Sequence, residues 1–176
     1  MTLWVFGYGS LLWHPGFDIA ESVVATLPGY ARSFCMRSIH HRGTEDAPGL
    51  VLALDHQPGA ACVGMAFRVM PAQEQTTLAY LRERELISSA YVEHQLDVDL
   101  RDGRRVQALV YVVDEAHVQY CGGLALEDQA QIIAFASGGR GPNAEYLNKT
   151  ADHLRAMGLA DPQLDWLQAR VQALNP

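Results

Sequence analysis

Gly7-Tyr8-Gly9-Ser10 lies between the apolar run Leu3-Trp4-Val5-Phe6 and the pair Leu11-Leu12, and it is the strongest chemical feature of the chain. Two residues without a Cβ let the backbone turn sharply and let a ligand approach its N–H groups. Ser10 adds a hydroxyl that both donates and accepts. A loop of this kind is a cradle of donors for a carboxylate, a phosphate or a developing oxyanion. Its competing account is a tight turn between two strands, and Gly-x-Gly spacing alone does not separate the two. A dinucleotide fingerprint does not fit, because the third glycine is missing and Pro15 follows too soon for a crossover helix. Gly7, Tyr8, Gly9, Ser10, Leu11 and Leu12 are therefore the candidate binding residues.

Glu85 is the second anomaly. A helix opening at Pro71 turns about 100° per residue, which stacks Leu78, Leu81 and Glu85 on one side and sends Glu83 to the other. Glu83 reads as ordinary surface, whereas Glu85 occupies a core position. A carboxyl in apolar surroundings holds its proton more tightly, which moves it toward the working range of a general base. The competing account is a glutamate that snorkels to solvent or pairs with Arg82 or Arg84. An inward acid together with a donor loop makes a base and an anion cradle, with no need for a metal or a covalent nucleophile.

Other reactive side chains form no comparable pattern. Cys35, Cys62 and Cys121 are three widely separated cysteines, which reads as free thiols in a reducing compartment. Cys121 precedes Gly122-Gly123 but has no evident histidine partner, so it reads as a small buried thiol rather than a nucleophile. The seven histidines include the adjacent pair His40-His41 and otherwise stand singly. They lack the spacing of a zinc site, and no metal is expected.

The elements that must position these residues follow from periodicity and turn residues. Strands are expected over Ser22–Leu27, Ala31–Ile39, Leu50–Leu54 and Cys62–Val69, broken by Pro28-Gly29, residues 41–49 and Pro58-Gly59. The helix from Pro71 is expected to reach about Ser88, with Glu74 complementing its first turn. Strands over Val92–Leu100 and Val106–Val113 are joined by Asp102-Gly103. The last third is helical. One helix covers Glu127–Ala136 and is ended by Gly138-Gly139. A second is capped by Asn143, carries the stripe Leu147, Thr150, Ala151 and Leu154, and closes at Gly158. A third starts at Asp161-Pro162 and carries Leu164, Leu167, Val171 and Leu174. Strands followed by helices indicate an α+β fold rather than a doubly wound parallel sheet.

The chain has 176 residues, 49% hydrophobic and 19% charged, which is the size and balance of one globular domain. A net charge of −7 argues against a broad nucleic-acid surface. No apolar run approaches a membrane span, and no basic segment precedes Leu3-Trp4-Val5-Phe6, so a cytoplasmic protein without a signal peptide is expected.

Taken together, these segments resemble the ChaC family of γ-glutamylcyclotransferases. Trp4 to Trp13 with Pro15-Gly16-Phe17 is similar to the family's opening motif, and Arg32-x-Phe34 leading to His41-Arg42-Gly43-Thr44 to its second block. Tyr80-Leu81-x-x-Arg84-Glu85 corresponds to the block that carries the family's catalytic glutamate. Tyr120-x-Gly122 and Gly138-x-x-Gly141-x-Asn143-x-Glu145-Tyr146-Leu147 resemble the late glycine-rich segment. Met36-Arg37 departs from a Gln-Gly pair of eukaryotic members and a helical extension follows Tyr146, both of which suggest the bacterial branch.

The resemblance implies a single domain over residues 1–176, a small mixed β-barrel flanked by helices with a helical tail. It implies cofactor-free release of 5-oxoproline and Cys-Gly from glutathione, with Glu85 as catalytic base and acid. Arg37, Arg42 and Arg140 are candidates to meet substrate carboxylates, and Tyr8 and Tyr146 to line the pocket. Turnover of other γ-glutamyl amines, or ligand binding without turnover, are the alternatives.

Overall fold

The computed structural model describes residues 2–86 and 90–176. Five strands form a closed barrel: β1 (Trp4–Gly7), β2 (Ile19–Ser38), β3 (Gly49–Val69), β4 (Tyr91–Leu100) and β5 (Arg105–Val113), in the order β1-β3-β2-β4-β5. β1 pairs antiparallel with β3 and parallel with β5, so the barrel is mixed. β4 and β5 form the expected hairpin, from Tyr91 opposite Val113 to Asp99 opposite Arg105, with Gly103 at φ 97° in the turn.

Two expected breaks are absent. Pro28-Gly29 and Pro58-Gly59 lie inside the continuous strands β2 and β3. Both prolines are exposed, and the glycines take φ of 83° and 86°. A left-handed glycine lets a strand bend without ending, and an outward proline is tolerated where a ladder bond is not required.

The chain forms two compact units, residues 1–32 with 54–117 and residues 33–53 with 118–176. In the first, Trp4, Phe6, Ala25, Leu27, Leu54, Ala66, Val98, Leu100, Ala108 and Val110 form the barrel interior. The alternate residues Val5, Leu109 and Tyr111 face outward, where Leu81 of α1 (Glu74–Leu86) covers them. β1 is thus buried on both faces, which is why its sequence is continuously apolar rather than alternating. A 3-10 turn over Pro71–Gln73 precedes α1, with proline at its first position. The expected end near Ser88 lies outside the described residues.

The second unit holds α2 (Leu126–Phe135), the two-residue strands β6 (Ser137–Gly138) and β7 (Gly141–Pro142), α3 (Asn143–Ala156) and α4 (Pro162–Leu174). Gly138-Gly139 therefore does more than stop a helix, since it enters a small hairpin. The α3 stripe of Leu147, Thr150, Ala151 and Leu154 is buried as expected, as are Leu164, Leu167 and Val171 of α4. Asp161 caps α4 by accepting the Leu164 N–H at 3.1 Å. Asn143 is not a cap. Its side chain is fully buried, accepts the Leu50 N–H at 2.8 Å and donates to the Leu50 carbonyl at 2.8 Å. The position needs an amide because it completes the hydrogen bonding of a strand.

Candidate active site

β1 delivers the glycine loop. Gly7 ends the strand opposite Met65, and a Cβ there would lie 3.0 Å from the Phe67 ring and 3.3 Å from Leu11 Cβ. Gly64 in turn leaves room for the Gly7 carbonyl. Gly9 is different: a Cβ on it would meet nothing within 4 Å, so this side of the backbone is open. Ser10–Leu12 form a 3-10 turn in which the Leu12 N–H donates to the Gly9 carbonyl at 2.9 Å, and the His14 N–H donates to the Ser10 carbonyl at 2.8 Å. Among the described residues, the N–H groups of Gly9, Ser10 and Leu11 have no acceptor. Leu11 and Leu12 are buried, and Tyr8 packs half-buried against the barrel interior. Within residues 7–12, Gly7 is packed against Phe67 and the Leu12 N–H is spent inside the turn, which leaves the donors at 9, 10 and 11 unengaged among the described residues.

Glu85 lies on the buried side of α1 and Glu83 on the exposed side, as helical spacing requires. The Glu85 side chain keeps 18% of its exposure, and its ion-pair partner is Arg84, with Nε 3.4 Å from Oε1. Burial pushes the Glu85 carboxyl above the ordinary glutamate range, and the Arg84 charge opposes this. Arg82, the other expected partner, turns away to a two-point ion pair with Glu93 at 3.0 and 2.9 Å.

Arg84 joins the loop to the acid. Its Nη2 donates to Ser10 Oγ at 3.0 Å, and its Nη1 donates to the His14 carbonyl at 2.6 Å, the Pro15 carbonyl at 3.3 Å and the Tyr80 hydroxyl at 3.0 Å. One guanidinium therefore links the donor loop, the segment behind it and the inward carboxyl. The planar fork of arginine suits such a junction better than a single ammonium. Across the helix, the Tyr111 hydroxyl donates to Glu93 Oε1 at 2.9 Å, and burial with the charges of Glu93 and Glu85 holds this phenol strongly protonated. The Arg82 hydrogen bonds hold the Glu93 carboxyl below its usual range. Of the two acids whose charges act on Tyr111, Glu93 is kept ionised by a partner and Glu85 is left with a raised proton affinity.

Arg42 and Tyr146 belong to the second unit and meet there. The Arg42 guanidinium carbon lies 5.8 Å from the centre of the Tyr146 ring, Nη1 donates to the Pro142 carbonyl at 3.1 Å, and Glu145 is 3.9 Å away. The Tyr146 hydroxyl accepts the Leu52 N–H at 3.2 Å. Arg37 and Arg140 are exposed. Cys35, Cys62 and Cys121 are free thiols, and burial raises the Cys121 pKa, which is the wrong direction for a nucleophile. Among the described residues, no three His, Cys, Asp or Glu side chains gather as a metal site.

In the sequence Arg84 stands out as a partner for Glu85 and Arg32 only as part of a motif, while Tyr111 and Glu93 do not stand out. The signals were present. Arg84 stands four residues after Tyr80 on one helix face. Arg32 interrupts an apolar strand, and Tyr111 sits at an outward position of a strand buried on both faces.

The sequence model of the ChaC-like protein family matches residues 3–174. The chain belongs to this family. Its curated relatives include the glutathione-specific γ-glutamylcyclotransferase of Escherichia coli K12, 38% identical over 98% of this chain and 74% of that protein. The glutathione-specific γ-glutamylcyclotransferase 1 of Danio rerio is 35% identical over 98% of this chain and 90% of its own length. Among solved structures, a yeast γ-glutamyl cyclotransferase specific to glutathione superposes with a TM-score of 0.85 at 24% identity, covering all of both chains. This ChaC-like protein therefore has the γ-glutamylcyclotransferase fold, and the expected α+β mixed barrel with helices is the one observed. Among the described residues, no helix is long and apolar enough to cross a membrane.

Proposed function

We propose that this ChaC-like protein is a glutathione-specific γ-glutamylcyclotransferase that releases 5-oxoproline and Cys-Gly, with Glu85 as its catalytic residue. The observation that carries the reading is the Arg84 junction, which ties a desolvated carboxyl to a loop with three unengaged N–H donors. The names of the relatives supply the substrate.

A γ-glutamyl group contains its own nucleophile. Its α-amine can close a five-membered ring on the γ-carbonyl, forming one C–N bond while the bond to the cysteinyl nitrogen breaks. Glu85 takes a proton from the α-ammonium and returns one to the departing amine, so no water, metal or cofactor enters the balance. Holding the amine over the carbonyl is worth roughly 7–11 kcal/mol in well-oriented intramolecular cases. The N–H groups of Gly9, Ser10 and Leu11 hold the α-carboxylate or the forming oxyanion, and Arg42 and Tyr146 are carried as pocket residues. Residues 1–176 are proposed to act as one domain in the cytoplasm, where free thiols and glutathione are both stable. The net charge of −7 does not favour nucleic acid as a partner.

Incubation of the purified protein with glutathione alone, followed by assay for 5-oxoproline and Cys-Gly, tests this reading. Equal release from other γ-glutamyl amines would reassign the substrate within the same reaction. Binding without turnover would make the protein a ligand-binding member of the fold.

A further inference from the structure

We propose that Arg32 is a positioning residue that aims and polarises the Gly9 N–H of the anion cradle. Arg32 lies on β2 and is buried. Its Nε donates to the Tyr8 carbonyl at 2.7 Å, and its Nη2 donates to the Val63 carbonyl on β3 at 2.6 Å. The Tyr8 carbonyl and the Gly9 N–H belong to one peptide unit. That unit is planar, and it is trans because the described residues contain no cis bond. In a trans peptide the C=O and N–H vectors point to opposite sides, so fixing one fixes the other. By gripping the carbonyl from the barrel side, Arg32 turns the Gly9 N–H away from the barrel. That N–H has no acceptor among the described residues, and the space beside Gly9 is empty.

The grip is also electronic. A cation hydrogen-bonded to an amide oxygen draws electron density through the peptide and strengthens its N–H as a donor. The second contact matters as much, because it ties the orientation to Val63 in the barrel wall rather than to another loop. The planar fork holds the two carbonyls with two different nitrogens at a fixed angle, a geometry that the single nitrogen of a lysine ammonium does not reproduce. A structural staple would not need an unengaged donor on the far side of the same peptide unit. The proposal rests on residues 9–11 being the anion cradle.

The test is steady-state turnover of glutathione by Arg32→Ala and Arg32→Lys, with melting temperatures measured in parallel. Arg32→Ala is expected to lose about 10²-fold in kcat/KM, the usual effect of one misaimed oxyanion donor. Millimolar guanidinium ion should restore part of that loss, and the acid limb of the pH profile should not move. A fall confined to kcat shows that the loop holds the oxyanion, and an equal rise in KM shows that it holds the α-carboxylate. Either supports the aiming role. Activity per folded molecule within threefold of wild type overturns it, as does a loss that guanidinium leaves untouched. If Arg32→Ala does not fold, Arg32→Lys carries the test: at least a tenfold loss is expected, and a wild-type rate overturns the proposal. If the wild-type protein releases no 5-oxoproline, the proposed function has failed separately, and the Arg32 variants are read by calorimetric binding of glutathione. A tenfold weaker Kd then supports the role, and an unchanged Kd refutes it.

Discussion

Replacing Glu85 with Gln removes a titrating group while leaving its shape. Among the described residues the partner of the Glu85 side chain is Arg84 at 3.4 Å, and Arg84 remains held by Ser10, His14, Pro15 and Tyr80. The fold should therefore survive, with a melting temperature within about 3 °C of wild type, corresponding to less than about 1 kcal/mol for a chain of this size. A base used in two proton steps contributes about 10²–10⁴-fold, or about 3–5 kcal/mol of barrier, so turnover should fall by that factor. Glu83→Gln, on the exposed face of the same helix, should retain wild-type kcat. The assay is 5-oxoproline release, followed from pH 4 to pH 9. Burial raises the Glu85 pKa, so the acid limb of kcat/KM should inflect above the ordinary glutamate value, with activity lost as pH falls through it. Arg84→Met should move that limb to still higher pH, since Arg84 is the charge that opposes the rise. Stability carries the opposite sign. A native carboxyl that holds its proton more tightly than the unfolded chain disfavours folding once it is ionised. Glu85→Gln should thus be at least as stable as wild type at neutral pH and lose that advantage below the ordinary glutamate pKa. An active Glu85→Gln refutes the general-base mechanism. A dead Glu83→Gln beside an active Glu85→Gln would show that the chemistry uses the other face of α1.

Two further outcomes separate site from scaffold. Gly9→Val places its side chain in open space, so activity should fall at least tenfold while the melting temperature stays near wild type; Gly64→Ala would press into the Gly7 carbonyl and should lower the melting temperature instead. Asn143→Ala strips the Leu50 N–H and carbonyl of their partner in a buried setting, and urea denaturation should show a loss of about 2–5 kcal/mol.

Much of this protein was legible along the chain because local rules suffice there. Helical spacing alone separates Glu83 from Glu85, and Asp102-Gly103 specifies the β4–β5 turn. Asp161-Pro162 starts α4, and the α3 stripe follows from its period. Motif spacing was enough to place the chain in its family. Other features needed the tertiary structure. Whether Pro28-Gly29 ends a strand depends on what lies beside it, and here the exposed proline and left-handed glycine are absorbed into a 20-residue strand. Asn143 looks like a cap in sequence, but its amide serves a strand 93 residues away. Which N–H groups of the glycine loop remain unengaged depends on the 3-10 turn, which consumes the Leu12 donor and leaves 9, 10 and 11. Arg84 stands beside Glu85 in the chain, but its contact with Ser10 and those of Arg32 with Tyr8 and Val63 exist only once the barrel is closed. Residue types and their period are encoded locally, whereas the partner of a long side chain is set by elements far apart in sequence. For that reason the candidate acid and its neighbour Arg84 could be named from the chain, while the distant partners of Arg32 and Arg84 emerged only from the fold.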